Sequence, residues 1–209
     1  MINTVIVEDN LFMQTHLSGL LADQPDFRVA ACFRDAFEAE SLCAVSGVDL
    51  VLMDVQTLHN HSGLASGERI RALGRGTKVV AVTSLIDPDV LARARAGAAD
   101  SLWYKDHGDA EILDVIRRTL GGERVFPDAA PAVELKEMFS DEISPRQMAI
   151  LRRFVRGMTY DEIAAELKLT RSGVRWNLEQ IVEKGGFQNK HELLAAVIES
   201  KLIVTTLED

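Results

Sequence analysis

The chain has 209 residues, 47% of them apolar and 26% charged, which suits a folded protein of about two domains with a sizeable core. No apolar run approaches membrane-span length and residues 1–10 begin a strand rather than a secretion signal. Cys32 and Cys43 lack metal-ligand spacing and read as reduced packing residues, so a cytoplasmic protein is expected. The net charge of −9 speaks against nucleic acid until it is mapped: −6 falls on residues 1–120, −4 on 121–142 and +1 on 143–209.

In chain order, strand-like apolar runs lie near 4–8, 27–33, 48–53, 78–83 and 101–104. Helical stretches follow them near 10–23, 35–45, 64–73, 87–96 and 109–120. Regular alternation of this kind predicts a doubly wound α/β unit, a five-stranded parallel sheet with right-handed crossovers and helices on both faces. Gly121-Gly122, Pro127 and Pro131 then mark a linker over 121–142. From Ile143 onward the periodicity is helical only.

Four strand ends carry chemistry. Glu8-Asp9 closes the first run, Asp54 the third, Thr83 the fourth and Lys105 the fifth. In a parallel sheet these ends share one edge, where ligands bind. A carboxylate attacking a phosphoryl donor needs both charges offset. A small hard cation such as Mg²⁺ does so through oxygen ligands, which Glu8 and Asp9 supply beside Asp54. Lys105 can pair with the transferred group and Thr83 can hydrogen-bond to it, so catalysis is positioning and charge stabilisation.

On these residues, positions 1–120 resemble the receiver domain of bacterial two-component response regulators, with Glu8-Asp9 as the acidic pair, Asp54 the phosphoacceptor, Thr83 the switch hydroxyl and Lys105 the lysine. The resemblance implies the flavodoxin-like strand order 2-1-3-4-5, a sensor histidine kinase as phosphate donor, and Mg²⁺ held by Asp9, Asp54 and the backbone carbonyl of Gln56. Three departures stand out. Thr57-Leu58 replaces a usual Met-Pro, the segment 59–63 is one residue longer than usual, and Leu102 stands where the switch aromatic usually lies, with Trp103 and Tyr104 beside it.

The C-terminal stretch predicts four helices. Ser144-Pro145 starts the first, which ends at Gly157; Thr159 caps the second; Lys168-Leu169 turns into a third capped by Thr170 and stopped at Gly185-Gly186; the fourth runs from Lys190 to about Leu202. Two short helices joined by a tight turn make a helix-turn-helix, whose second helix can enter a major groove. With Val174, Leu178 and Ile181 facing inward, Arg175 and Trp176 point outward. Periodicity alone leaves a protein-binding bundle as an equal alternative.

Residues 143–203 resemble the LuxR-type DNA-binding domain through Ser144-Pro145-Arg146, Gly157-Met158-Thr159, Glu162-Ile163-Ala164 and Asn189-Lys190-His191-Glu192. Together the halves resemble response regulators of the NarL/FixJ type. The resemblance implies a phosphorylation-controlled transcription regulator, not an enzyme beyond its own phosphorylation and dephosphorylation, which binds promoter DNA and forms a homodimer on activation. The residues expected to face DNA are Thr170, Arg171, Ser172, Arg175, Trp176, Asn177 and Lys184. Gly173, Trp176 and Asn177 depart from the usual residues on that helix, and Gly185 replaces a usual leucine, so a loosely packed corner is expected there. Phe12, Ile112 and Val115 are candidate interface side chains of the receiver, burial in the monomer being an equal alternative. His59 and His61 share a loop without further close ligands and read as solvated polar residues, while the scattered His16, His107 and His191 read as surface or helix-end residues. Rival readings are a regulator of the same fold controlled without phosphate, and an adaptor whose helical part binds protein.

Overall fold

The apolar runs become parallel strands β1 (Ile2–Val7), β2 (Phe27–Phe33), β3 (Leu50–Asp54), β4 (Lys78–Thr83) and β5 (Ser101–Tyr104). They pair in the order β2-β1-β3-β4-β5, the order expected. Helices α1 (Leu11–Ala22), α2 (Ala36–Val45), α3 (Gly63–Ala72), α4 (Pro88–Arg93) and α5 (Asp109–Leu120) follow the strands one by one. The computed structural model describes residues 1–203, and the chain divides into one unit over 1–129 and a second from Ala130 onward.

Side-chain alternation splits the sheet's residues between two helical layers. Ile6, Leu50, Leu52, Val80, Val82 and Trp103 pack with Leu17 and Leu21 of α1 and Ile112, Val115 and Ile116 of α5. Ile112 and Val115 are therefore core residues, 0% and 4% exposed, and are not available as interface side chains. Phe12, by contrast, is 83% exposed. Asn10 and Asp35 cap α1 and α2, their carboxamide and carboxylate oxygens accepting first-turn amides. The stretch expected as a helix over 87–96 is helical only to Arg93; the backbone then widens into a π turn over Ala94–Ala98. Cys43 is fully buried, whereas Cys32 on edge strand β2 is exposed and is not a packing residue.

The second unit begins earlier than the helical periodicity announced. Two short antiparallel strands, β6 (Glu134–Leu135) and β7 (Met138–Phe139), turn on Lys136 at φ 61°. Leu135 and Met138 are 1% and 2% exposed and belong to the same core as the helices. Much of the stretch expected as linker over 121–142 is thus folded into that unit.

Helices α6 (Pro145–Val155), α7 (Tyr160–Leu167), α8 (Arg171–Lys184) and α9 (Lys190–Glu199) follow. The Ser144 and Thr159 hydroxyls close reciprocal capping boxes with Gln147 and Glu162. Lys168 takes the left-handed conformation, φ 55°, that ends α7 and lets α8 start at Thr170. The corner at Gly185 is not loose. A Cβ there would lie 2.3 Å from the Phe187 ring, which folds over the glycine and is itself buried. Among the described residues, no helix is long and apolar enough to cross a membrane.

Candidate functional site

The parallel pairing brings the predicted residues to one edge. β1 pairs with β3, β3 with β4 and β4 with β5, so Glu8, Asp54, Thr83 and Lys105 follow one another along adjacent strand ends. Glu8 and Asp54 are 1% and 6% exposed. Between them sits the Lys105 ammonium, 2.7 Å from Asp54 Oδ2 and 2.7 Å from Glu8 Oε2. Asp9, half-buried, completes the acidic group: carboxylate oxygens of Glu8, Asp9 and Asp54 all lie within 4.8 Å of one another.

Two buried acids facing one lysine leave the site short of positive charge. Burial pushes the Asp54 carboxyl up to about 7; Lys105 opposes this and Glu8 adds to it. Burial works to lower Lys105, but the Asp54 and Glu8 charges outweigh it and raise its pKa. A cation among the acids would restore the balance, and a set of hard carboxylate oxygens suits Mg²⁺. The residues therefore fit the ion that the sequence resemblance implies.

Neighbouring segments hold the acids in place. Gln14 Nε2 donates to the Glu8 carbonyl (3.0 Å) and Arg34 Nε to that of Asp9 (3.2 Å). Arg34 was missed in the sequence, although it comes directly after the end of β2 and so sits at the same sheet edge. Gly63 is needed where it stands, since a Cβ there would fall 1.8 Å from the Asp54 carbonyl oxygen. Thr83 is buried and its hydroxyl accepts from the Leu85 amide at 3.0 Å. The aromatic in register with Thr83 is Tyr104, not Trp103; Tyr104 is 1% exposed, its hydroxyl has no hydrogen-bond partner among the described residues, and burial pushes its pKa to about 12.

After Asp54 the chain makes a tight loop. Gln56 lies opposite Ser62 in an antiparallel bridge whose bonds run from Thr57 N to the His61 carbonyl (3.1 Å) and from Gly63 N to that of Val55 (2.9 Å). His59 and Asn60 at its tip are left-handed, φ 62° and 61°. His61 is not the solvated residue expected. Its Nδ1 lies 2.9 Å from an Asp35 carboxylate oxygen and its ring packs 4.2 Å from that of Phe37. Burial works to raise Asp35, but bonds from the Phe37 amide and His61 outweigh it and hold the carboxyl below its usual value.

In the second unit, Val174, Leu178 and Ile181 bury one side of α8, and the other side is exposed. Trp176 is 58% exposed, and Thr170, Arg171, Ser172 and Arg175 are exposed with it. Asn177 does not belong to that surface: it is 7% exposed and its amide donates to the Gly173 carbonyl one turn back (2.8 Å). Each cation of α8 has an acid beside it: Arg171 has Asp161 at 3.0 Å, Arg175 has Glu179 at 3.5 Å and Lys184 has Glu142 at 2.9 Å. Exposed pairs of this kind contribute at most about 1 kcal/mol, so a phosphate can displace the acid.

Comparison with known proteins agrees with this geometry. Residues 4–117 match the family model described as response regulator receiver domain, and residues 141–197 match that of bacterial regulatory proteins, luxR family. The transcriptional regulatory protein UhpA of Salmonella typhimurium is 29% identical over 194 residues, covering 92% of this chain and 96% of its own. An uncharacterized transcriptional regulatory protein of Bacillus subtilis, YvfU, is 28% identical over 202 residues, 96% of this chain and 98% of its own. In fold, the chain is similar to RcsB from Salmonella enterica serovar Typhimurium bound to promoter rprA in the presence of phosphomimetic BeF3−. That match has a TM-score of 0.63 and 16% identity and covers 94% of this chain and 98% of the other. With its acid–lysine edge on one unit and the exposed side of α8 on the other, the chain belongs to the response-regulator family: it is a phosphorylation-controlled transcription regulator with a receiver domain and a luxR-type DNA-binding domain.

Proposed function

We propose that Asp54 is the phosphoacceptor, that a sensor histidine kinase in the cytoplasm supplies the phosphoryl group, and that its arrival favours a homodimer reading paired promoter half-sites through α8. The observation that carries this is the Lys105 ammonium bridging two buried carboxylates at the edge of the sheet. An Asp54 oxygen attacks phosphorus, the bond to the donor's imidazole nitrogen breaks, and the electron pair leaves with the imidazole. Lys105 then has a phosphoryl oxygen to pair with in place of the Asp54 carboxylate. Thr83, one residue beyond the Val82 that faces Asp54 in register, supplies the hydroxyl that turns toward the new group. Mg²⁺ held by Asp9, Asp54 and the Gln56 carbonyl, with Glu8 beside them, would neutralise charge between nucleophile and donor.

On DNA, Arg175 and Trp176 near the start of α8 are assigned to base edges. Arg171, Ser172 and Thr170 are assigned to the backbone at the helix N-terminus, and Lys184 to phosphate at the far end. Incubation with acetyl phosphate and Mg²⁺, followed by mass spectrometry, tests the first half. Wild type should gain one phosphate and Asp54→Asn none; equal uptake by both would overturn the assignment. Sequencing the DNA retained by phosphorylated and unphosphorylated protein tests the second. A single enriched inverted-repeat motif is expected, strengthened by phosphate.

A further inference from the structure

We infer that His61 is a positioning residue for the cation at Asp54, acting through the peptide between Gln56 and Thr57. The inference rests on the proposed use of the Gln56 carbonyl as a ligand and deepens it. A trans peptide is planar, so its C=O and N–H point in opposite directions and cannot be aimed separately. The N–H partner of the Gln56 carbonyl is that of Thr57, and it donates to the His61 carbonyl at 3.1 Å. The Thr57 hydroxyl donates to the same oxygen, also at 3.1 Å. Wherever the His61 carbonyl sits, the Gln56 carbonyl points the other way.

His61 is in turn fixed by its side chain. The imidazole Nδ1 meets the Asp35 carboxylate at 2.9 and 3.0 Å, and Asp35 is anchored as the cap of α2 through the Phe37 amide. The Phe37 ring lies 4.2 Å from the imidazole, with the Arg69 guanidinium stacked over Phe37 at 5.4 Å. The Thr57 hydroxyl also accepts from the Ala36 amide at 3.3 Å, a second tie from the same helix end. Without the clasp, a loop with two left-handed residues at its tip would lose the side-chain tie that fixes the His61 carbonyl relative to α2. Groups that orient metal ligands typically carry 10- to 100-fold of metal affinity.

The test is Mg²⁺ binding by the full chain, read directly by calorimetric titration and again as the Mg²⁺ dependence of phosphorylation by acetyl phosphate, for wild type, His61→Ala, His61→Gln and Asp35→Asn. In His61→Ala the Mg²⁺ concentration for half-maximal rate should rise about tenfold, while the rate at saturating Mg²⁺ stays within about twofold of wild type. Asp35→Asn keeps a capping oxygen and should give a smaller rise. Glutamine, which can still donate to Asp35, should restore most of the affinity. An unchanged half-saturating Mg²⁺ in a phosphorylated His61→Ala protein would overturn this inference alone. A loss confined to the saturating rate, or one that glutamine fails to repair, would overturn it too. A wild type that takes no phosphate would overturn the phosphoacceptor reading, and this inference with it.

Discussion

Replacing Asp54 by asparagine should make the folded receiver more stable, not less, near neutral pH. The carboxyl is held at about 7 in the folded chain against an ordinary 3.8, chiefly by burial. Between those two values the unfolded chain has released a proton that the folded chain still holds, so stability falls as pH rises through the window. At 1.36 kcal/mol per pH unit the full shift is about 4 kcal/mol, a ceiling because Lys105 is stabilised by the same contact. Asp54→Asn removes one of two acids competing for that lysine and with it the slope. We expect the variant to exceed wild type by about 2–4 kcal/mol at pH 8 and to match it within about 1 kcal/mol at pH 4. Urea unfolding followed by fluorescence reports it, since Trp103 is buried in the sheet and Trp176 is exposed in both states. Millimolar Mg²⁺ should raise wild type and leave the variant nearly unchanged. Parallel stability–pH curves for the two proteins would refute the account of the site as one cation short.

Three further outcomes are expected. Arg175→Ala should cost about 1–3 kcal/mol on the specific site and much less on scrambled duplex, whereas Lys184→Ala should weaken both alike and lower the salt slope by about 0.9, as titrations at several salt concentrations would show. Gly63→Ala should destabilise the receiver by about 3 kcal/mol in urea unfolding and abolish phosphorylation, because its methyl would overlap the Asp54 carbonyl. A maleimide should label Cys32 in the native protein and reach Cys43 only on unfolding, since burial pushes the Cys43 thiol up to about 11.

The sheet and its chemical edge were legible because both depend on period and position. Buried strands read as apolar runs, and the residues at a strand's carboxyl end stand at the crevice, so Glu8, Asp54, Thr83 and Lys105 could be grouped from their places in the chain. Contacts that depend on how a loop folds back left no such trace. His61 sits in a polar segment with no periodicity, and its partner Asp35 is 26 residues away. Asn177 was expected at the DNA with the rest of its helix, yet the helical angle puts it beside Leu178 on the buried side. The β6–β7 hairpin escaped for another reason: each strand has two residues, too few for an alternation to show.

That hairpin decides where the chain can be cut. A fragment starting at Ile143 keeps α6 to α9 of the DNA-reading unit but loses Leu135 and Met138, each about 1.5–3 kcal/mol of burial. It also loses Glu137, whose amide donates to the Gly185 carbonyl (3.3 Å), and Lys136, which pairs with Glu192 at 2.8 Å. Such a fragment would expose the apolar floor of its own core and would tend to self-associate, mimicking a dimer that has nothing to do with phosphate. One that begins at Ala130 carries its own lid, so its monomer–dimer balance would report on the helices alone.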